Sequence, residues 1–460
     1  GKASGVDGIH VEFLGTERVV HFLHKLFNLC FLKGIFPSMW KKGVICPVPK
    51  SNISDSRDPN CYRGITLAVS SYKVFCSVLN ARLNDWADQN GIIVEEQNGF
   101  RKNRSCIDHI SSLVNIVETR LKRKQSTFAA FIDFSKAYDS VNRNKLWDKL
   151  CKLGLPFETK MHTALRSIYE NVKCNVRIHG CNTEWFDVKV GLRQGCILSP
   201  ILFNMYINDL VINLKQLCSG IPVGGENVVS LMYADDIVLL ARNERDLQRM
   251  LDVLGQWCMQ WNINVNPSKS EIIHFRNKAV KETIYTFKSG NINLNVVNGY
   301  RYLGLYLNEF LDFKVTADHV AKAAHRALGV LIAKSKAFGG MPFSCFQKLY
   351  DAIVLPVINY GAAIWGHSQY SSITAVHNKA CRFYLGVGRY TPSAAVQGDI
   401  GWLPPFVHLW IAITRMWCRF KNMAEHRINK KIMKWAMQYA VNGKCKNSIW
   451  KTINYFKDKR

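Results

Sequence analysis

The sequence VVSLMYADDIVLLA, residues 228–241, sets the expectation for the fold because two apolar arms flank a pair of aspartates. Each arm is short and strongly apolar, which favours buried strands. Polar residues between such arms favour a turn. The sequence therefore predicts a β-hairpin whose tip presents the carboxylates of Asp235 and Asp236.

A second apolar run, FAAFIDF at residues 128–134, also contains an aspartate, Asp133. Only the fold could bring Asp133 close to Asp235 and Asp236, because the two runs are far apart in the chain. If the runs form neighbouring strands of one sheet, the three carboxylates meet at its edge. Magnesium prefers oxygen ligands of this kind, and a pair of magnesium ions about 4 Å apart supports phosphoryl transfer.

The remaining pattern is mainly helical. Apolar residues at three- and four-residue spacing predict helices at residues 21–33, 71–86 and 144–153. A further helix is expected to start at Ser199, with Pro200 in its first turn and a glycine-flanked loop before it. Residues 309–460 are expected to be mostly helical.

Composition points to a polyanionic partner. The chain has 61 Lys and Arg against 34 Asp and Glu, a formal charge of +27, and this excess favours nucleic acid. Its 12 Trp, 17 Tyr and 24 Phe are unlike those of a histone-like or ribosomal protein. These totals indicate a globular enzyme with a basic groove. Over residues 401–460, Trp410, Trp417, Trp435, Trp450 and Tyr455 interleave with basic residues, so this segment is a candidate to grip nucleic acid.

Cysteine usage and hydropathy bear on the compartment. The 15 cysteines show no disulfide framework, so we expect a reducing environment in the nucleus and cytoplasm. His377 and Cys381 lack a second pair of ligands, which favours a buried thiol over a zinc site. The apolar stretch at residues 21–36 is too short and too polar to span a membrane, so no membrane partner is expected. The chain begins with Gly1, and we expect it to be a piece of a longer reading frame.

Three motifs in this order resemble the palm motifs of reverse transcriptases. They are FIDFSKAYDSVNR (131–143), GLRQGCILSPILFNMYINDL (191–210) and LMYADDIVLLA (231–241), and they are most similar to the non-LTR (LINE-type) retrotransposon branch. Segments beginning at Gly5, Cys61 and Gln97 resemble the fingers motifs of that family. Segments beginning at Ile263 and Tyr300 resemble its later palm motifs.

The resemblance implies an α+β, right-hand polymerase with an antiparallel palm sheet, helical fingers and a helical thumb. The fingers would cover residues 1–127, interleaved with the palm. The palm with the catalytic motifs would cover residues 128–308, and a basic thumb with a C-terminal extension would cover residues 309–460.

The implied activity is that of an RNA-directed DNA polymerase, a nucleotidyltransferase. It would extend the 3′-hydroxyl of a DNA primer, or of an RNA–DNA hybrid, with dNTPs on an RNA template during retrotransposition. The resemblance assigns two Mg²⁺ ions, with Mn²⁺ as a substitute, to Asp133, Asp235, Asp236 and the backbone carbonyl of Phe134.

The resemblance also assigns four roles in nucleotide binding and catalysis. Tyr138 would lie under the incoming sugar and exclude a 2′-hydroxyl, and Gln194 would contact the incoming nucleotide and the template base. Arg63 is a candidate to clamp the triphosphate. Lys269 is a candidate to protonate the leaving pyrophosphate or to offset its charge.

Two alternatives remain open. A group II intron-like reverse transcriptase and maturase shares the palm, although its motif more often resembles Pro-Gln-Gly where this chain has Arg193, Gln194 and Gly195. A domesticated, non-catalytic RNA-binding protein would keep the fold and the basic groove, but the three intact aspartates argue against it.

Overall fold

A computed structural model describes residues 4–50 and 55–439. In chain order the strands are β1 (Lys42–Pro49), β2 (Tyr62–Leu67), β3 (Thr127–Ile132), β4 (Lys173–Ile178), β5 (Cys181–Asn182), β6 (Phe186–Asp187), β7 (Ile221–Val223), β8 (Glu226–Val228), β9 (Ser230–Tyr233), β10 (Asp236–Ala241), β11 (Glu271–Phe275), β12 (Phe287–Ser289), β13 (Ile292–Val296), β14 (Gly299–Tyr302) and β15 (Leu305–Asn308).

The helices are α1 (Glu17–Lys33), α2 (Ser70–Gln89), α3 (Cys106–Lys122), α4 (Ala137–Ser140), α5 (Arg143–Lys152), α6 (Lys160–Tyr169), α7 (Ser199–Leu217), α8 (Glu244–Trp261), α9 (Phe313–Ala337), α10 (Phe343–Leu349), α11 (Leu355–Asn359), α12 (Ala362–Trp365), α13 (Ser371–Leu385), α14 (Ser393–Ile400), α15 (Pro405–Lys421) and α16 (Ile428–Tyr439). The mixture of helices with mostly antiparallel strands confirms the predicted α+β class.

Two compact units make up the chain. The first contains Gly1–Lys102, Asp133–Gln216 and Asp252–Asn266, and the second contains Asn103–Ile132, Leu217–Leu251 and the chain from Pro267 on. Both units are therefore discontinuous in sequence. The borders predicted at residues 127 and 308 do not coincide with the limits of these units, and the division into fingers, palm and thumb stays a prediction.

The second unit contains a six-stranded sheet in the order β12-β13-β11-β3-β10-β9. All neighbouring pairs are antiparallel except β11 and β13, so the prediction of an antiparallel sheet is confirmed, with one parallel pair. β3 is buried along its whole length, and β10 is buried beyond Asp236. Burial on both faces explains why these strands read as continuous apolar runs rather than as alternating patterns.

The predicted hairpin is formed by β9 and β10. Tyr233 pairs with Asp236, so Ala234 and Asp235 form a two-residue turn. Ala234 has a φ of +58°, the left-handed value that the primed turns of tight hairpins require. Tight reversal at Ala234 thus places the two aspartates at the tip of the hairpin.

The first unit contains a second sheet, in which β1 pairs with β2, β4 lies on the other side of β1, and β5 and β6 both pair with β4. Helices α1 and α2 confirm two sequence predictions, and strands β1 and β2 are further elements of this unit that the sequence did not predict. Prolines 47 and 49 argue against a central strand. The structure resolves this conflict because β4 pairs only with Lys42–Ile45 of β1, and both prolines lie beyond that pairing.

The helix expected at Ser199 begins at that residue as α7, and the part of the chain after β15 is helical where it is described, as predicted. Three tryptophans of this part have a structural role, and the candidacy of the segment to grip nucleic acid stays a prediction. Trp410, Trp417 and Trp435 pack, partly buried, against a hydrophobic cluster that includes Ile413 and Phe420, so they contribute to the core. Trp450 and Tyr455 lie outside the described residues.

Among residues 4–50 and 55–439, no helix is both long enough and apolar enough to cross a bilayer.

Candidate active site

The edge of the six-stranded sheet carries the aspartates of the hairpin. Ile132, the last residue of β3, pairs with Ile237, and Asp236 is the first residue of β10. The end of β3 and the start of β10 therefore lie at the same edge, and Asp133 follows β3 directly in the chain. Asp236 is exposed and Asp235 is half-buried. The expectation that the two apolar runs are neighbouring strands is confirmed.

In the first unit, Asp133 is oriented by Asn266. The Nδ2 of Asn266 donates to the Oδ2 of Asp133 at 3.0 Å, and the backbone N–H of Asn266 donates to the Asp133 carbonyl at 2.8 Å. Phe134 is buried, and its backbone forms an isolated antiparallel bridge with Val265. Asn266 therefore fixes one oxygen of the carboxylate. Sequence reasoning missed Asn266, although it lies in the NPSKSE segment that also contains Lys269.

Tyr138 has a defined support in the same unit. Its ring stacks on that of Phe203 in α7, with centroids 4.7 Å apart and an interplanar angle of 22°. Phe203 is fully buried, so it supports one face of the Tyr138 ring. The Tyr138 carbonyl accepts a hydrogen bond from the N–H of Leu192 at 2.7 Å. Stacking thus fixes the ring of Tyr138, and a hydrogen bond fixes its backbone.

Gln194 lies against the same segment. Its Nε2 donates to both carboxylate oxygens of Asp139, at 3.0 and 2.9 Å, and its carbonyl accepts from the N–H of Thr66 in β2 at 2.9 Å. Burial raises the pKa of Asp139, and the hydrogen bond from Gln194 acts in the opposite direction. Asp139 was missed by sequence reasoning, and its only signal was its place next to Tyr138 in the palm motif.

The loop that carries Gln194 approaches α4 very closely. Gly191 has a φ of +81°, and a Cβ at this position would lie 2.6 Å from the carbonyl oxygen of Asp139, so only glycine fits. Arg143 is buried and donates to the carbonyls of Gly191 (2.9 Å), Val188 (2.7 Å) and Val190 (3.3 Å). These contacts hold the loop on the segment that contains Tyr138 and Asp139.

Arg193, next to Gln194, faces the interior. It is 5% exposed, donates to the carbonyl of Trp40 at 3.0 Å and lies 5.1 Å from the ring centroid of Tyr72. Its neighbour Cys196 is buried, with its Sγ 3.2 Å from the Tyr72 hydroxyl. Arg193 therefore anchors the loop to the protein interior rather than contacting a ligand.

The remaining two predicted residues are exposed. Arg63 lies in β2 opposite Val48 of β1, in the first unit. Lys269 lies in the second unit, in the turn before β11, and its carbonyl accepts from the hydroxyl of Tyr300 at 3.1 Å. Tyr300 in turn stacks on Phe131 of β3, with ring centroids 4.5 Å apart. The backbone of Lys269 is thus tied to the sheet, and the residue as a whole is exposed.

Magnesium fits the carboxylates at the hairpin tip. The described residues contain no group of three or more His, Cys, Asp or Glu side chains that could hold a metal ion by itself. Magnesium, however, is usually held by one or two carboxylates together with substrate phosphates and water, so a complete protein cage is not required. Asp235 and Asp236 supply adjacent oxygen ligands at a solvent-accessible edge, and the assignment of metal to them and to Asp133 stays a prediction.

Comparison with known proteins identifies a matching family model and several similar proteins. The family model described as "Reverse transcriptase (RNA-dependent DNA polymerase)" matches residues 48–307. In Drosophila melanogaster, the probable RNA-directed DNA polymerase from transposon BS is 26% identical over 87% of this chain and 44% of its own length. The corresponding protein of transposon X-element is 27% identical over the same shares. The chain spans less than half the length of these relatives. An apo telomerase structure from Candida tropicalis has a TM-score of 0.44 at 14% identity, covering 93% of this chain and 70% of that chain.

Proposed function

Because the chain belongs to the reverse transcriptase (RNA-dependent DNA polymerase) family, we propose that it extends a primer 3′-hydroxyl with dNTPs on an RNA template. The resemblance read from the motifs is thereby confirmed at the level of the family. The observation that carries the proposal is the pairing of β3 with β10, which brings the end of one strand and the aspartates of the hairpin to one sheet edge. We further propose that this reaction is the copying step of retrotransposition.

Asp133, Asp235, Asp236 and the carbonyl of Phe134 would hold two magnesium ions in this proposal. When bound, these ions supply activation of the attacking hydroxyl and stabilisation of the charge on the leaving pyrophosphate. Asn266 contributes by orienting the Asp133 carboxylate through its hydrogen bond to Oδ2. A carboxylate oriented in this way needs less rearrangement when a metal ion binds to it.

Tyr138 and Gln194 would bind the nucleotide. Stacking on Phe203 keeps the Tyr138 ring in place, so a ribose 2′-hydroxyl would collide with it whereas a deoxyribose would fit. The carboxylate of Asp139 accepts both hydrogen bonds from the Gln194 amide nitrogen and so fixes which way the amide faces. Arg63 is an exposed cation on β2 that would bind the triphosphate.

Lys269 would assist departure of the pyrophosphate. Replacing Lys269 with alanine is expected to slow the chemical step by about ten-fold, because the leaving group loses a nearby proton donor or positive charge. The effect is modest because the side chain is exposed, where solvent screens its charge. Rapid-quench measurement of the first turnover would detect it, and Lys278→Ala, which removes another lysine of the same unit, is the matched control. A burst rate equal to that of the unmodified protein would remove Lys269 from the mechanism.

The proposal as a whole is tested by incubating the purified chain with poly(rA)/oligo(dT), dTTP and magnesium. We expect extension of the oligo(dT) primer that depends on both the template and the metal ion. Binding of the primer–template without any extension would favour a non-catalytic RNA-binding protein. A separate splicing assay tests the maturase alternative, which restored splicing of a cognate intron would favour.

A further inference from the structure

The second unit contains a cleft whose lining shares no residue with the β9–β10 hairpin and whose charged residues are all cations. The basic cleft has a volume of about 860 Å³ and is lined mainly by α13 and the loop after it, with part of α9. Its cations are Lys336, Lys379, Arg382 and Arg389, and its lining contains no aspartate or glutamate. Small-molecule sites range from about 300 to 1,000 Å³, so there is room for a ligand of nucleotide size. The charge calls for an anionic ligand.

One of these cations is held in place by the protein. The Nη2 of Arg382 donates to the carbonyl of Thr391 and to the Oγ of Ser393, both at 2.9 Å. Asn378, which also lines the cleft, donates to the same Oγ at 3.2 Å. The Nε of Arg382 is buried and has no hydrogen-bond partner among the described residues. A guanidinium fixed in this way presents its charge with little further loss of side-chain entropy.

The loop after α13 adds an exposed aromatic residue. Tyr390 is 83% exposed, and the guanidinium of Arg389 lies 4.6 Å from the centroid of its ring. Unlike Trp410, Trp417 and Trp435, which pack into the core, this ring is open to solvent. Tyr390 thus directly follows Arg389, which lines the cleft. Proteins that bind single-stranded nucleic acids combine cations that contact phosphates with an exposed aromatic ring on which an unpaired base stacks.

We propose that the basic cleft binds a single-stranded polynucleotide, with phosphates at Lys336, Lys379 and Arg382 and an unpaired base on Tyr390. Binding here goes beyond the proposed polymerase chemistry because it requires neither a metal ion nor a nucleoside triphosphate. A duplex fits less well because its bases are stacked within the helix and are not available to Tyr390. The cleft would therefore hold a strand that is not paired at that moment.

The test uses the full chain and fluorescently labelled oligouridylate, without dNTPs. The double variant Lys336→Gln/Lys379→Gln is expected to bind about ten-fold more weakly at physiological salt. The slope of log affinity against log salt should fall by about 1.4, because each lost phosphate contact on a single strand contributes about 0.7. The control Lys334→Gln/Lys348→Gln removes two exposed lysines outside the lining, so it corrects for the loss of overall charge.

Stacking is tested separately. Tyr390→Ala is expected to weaken oligouridylate binding about five-fold, whereas Tyr390→Phe keeps the ring and should bind normally. Repeating the series with oligothymidylate identifies the strand: equal losses assign the cleft to phosphates shared by RNA and DNA, and a loss seen only with oligouridylate assigns it to RNA.

Equal affinities for the cleft double variant and its control would overturn the proposal. The polymerase proposal is judged separately, by extension of oligo(dT) on poly(rA) by the unmodified protein, so a failure of the cleft proposal leaves that result unchanged.

Discussion

Replacing Asp235 with asparagine should reduce the rate of primer extension by about a hundred- to a thousand-fold. Its affinity for primer–template should change by no more than a few-fold. Asparagine keeps the shape of the side chain but removes its negative charge, and removal of one preorganised group at a reacting centre has effects of this size. The residue lies at the turn of the β9–β10 hairpin and is half-buried, so the substitution leaves the sheet pairing intact. Single-turnover extension and anisotropy binding would measure the two quantities.

The matched control is Asp318→Asn, which removes the same charge from α9 of the same unit. It should extend primers normally. Chelating magnesium should stop extension by the unmodified protein, and adding magnesium back should restore it. Extension by Asp235→Asn at the normal rate would contradict the metal assignment and, with it, the role proposed for the β3–β10 edge.

Much of this arrangement could be predicted from sequence because its signals are local. The YADD hairpin is specified by two apolar arms and a polar turn, and α7 by Ser199 and Pro200. Strand β1 could not be predicted, because Pro47 and Pro49 contradict a strand unless its pairing pattern is known. Local propensity thus yields to tertiary pairing at this point.

Residues whose roles depend on distant partners were also missed. Asn266 matters because it donates to Asp133, and Asp139 matters because it accepts from Gln194. Neither residue type is distinctive on its own, and the pairing exists only once the chain has folded. The tryptophans of the C-terminal part show the same dependence on the fold, because an aromatic beside a basic residue looks the same in sequence whether it is exposed or partly buried against the core.

The role of Tyr138 makes the second large prediction. Replacing Tyr138 with alanine is expected to raise the preference for ribonucleotides over deoxyribonucleotides by about ten- to a hundred-fold, because the ring that would meet the 2′-hydroxyl is gone. The measurement compares the kcat/KM for rUTP with that for dUTP on a poly(rA) template, since these substrates differ only at the 2′ position. A ratio taken on one preparation cancels any change in the fraction of folded protein.

Two readings of Tyr138 separate in this experiment. The ring stacks on the buried Phe203. If Tyr138 has only a structural role, Tyr138→Ala lowers the stability of the protein but leaves the ratio of kcat/KM for rUTP to that for dUTP unchanged. A steric gate changes the ratio whatever happens to stability. Tyr138→Phe keeps the ring and its stacking, and should therefore keep the selectivity of the unmodified protein. If Tyr138→Ala lowered the melting temperature without moving the ratio, sugar selection would have to come from another residue.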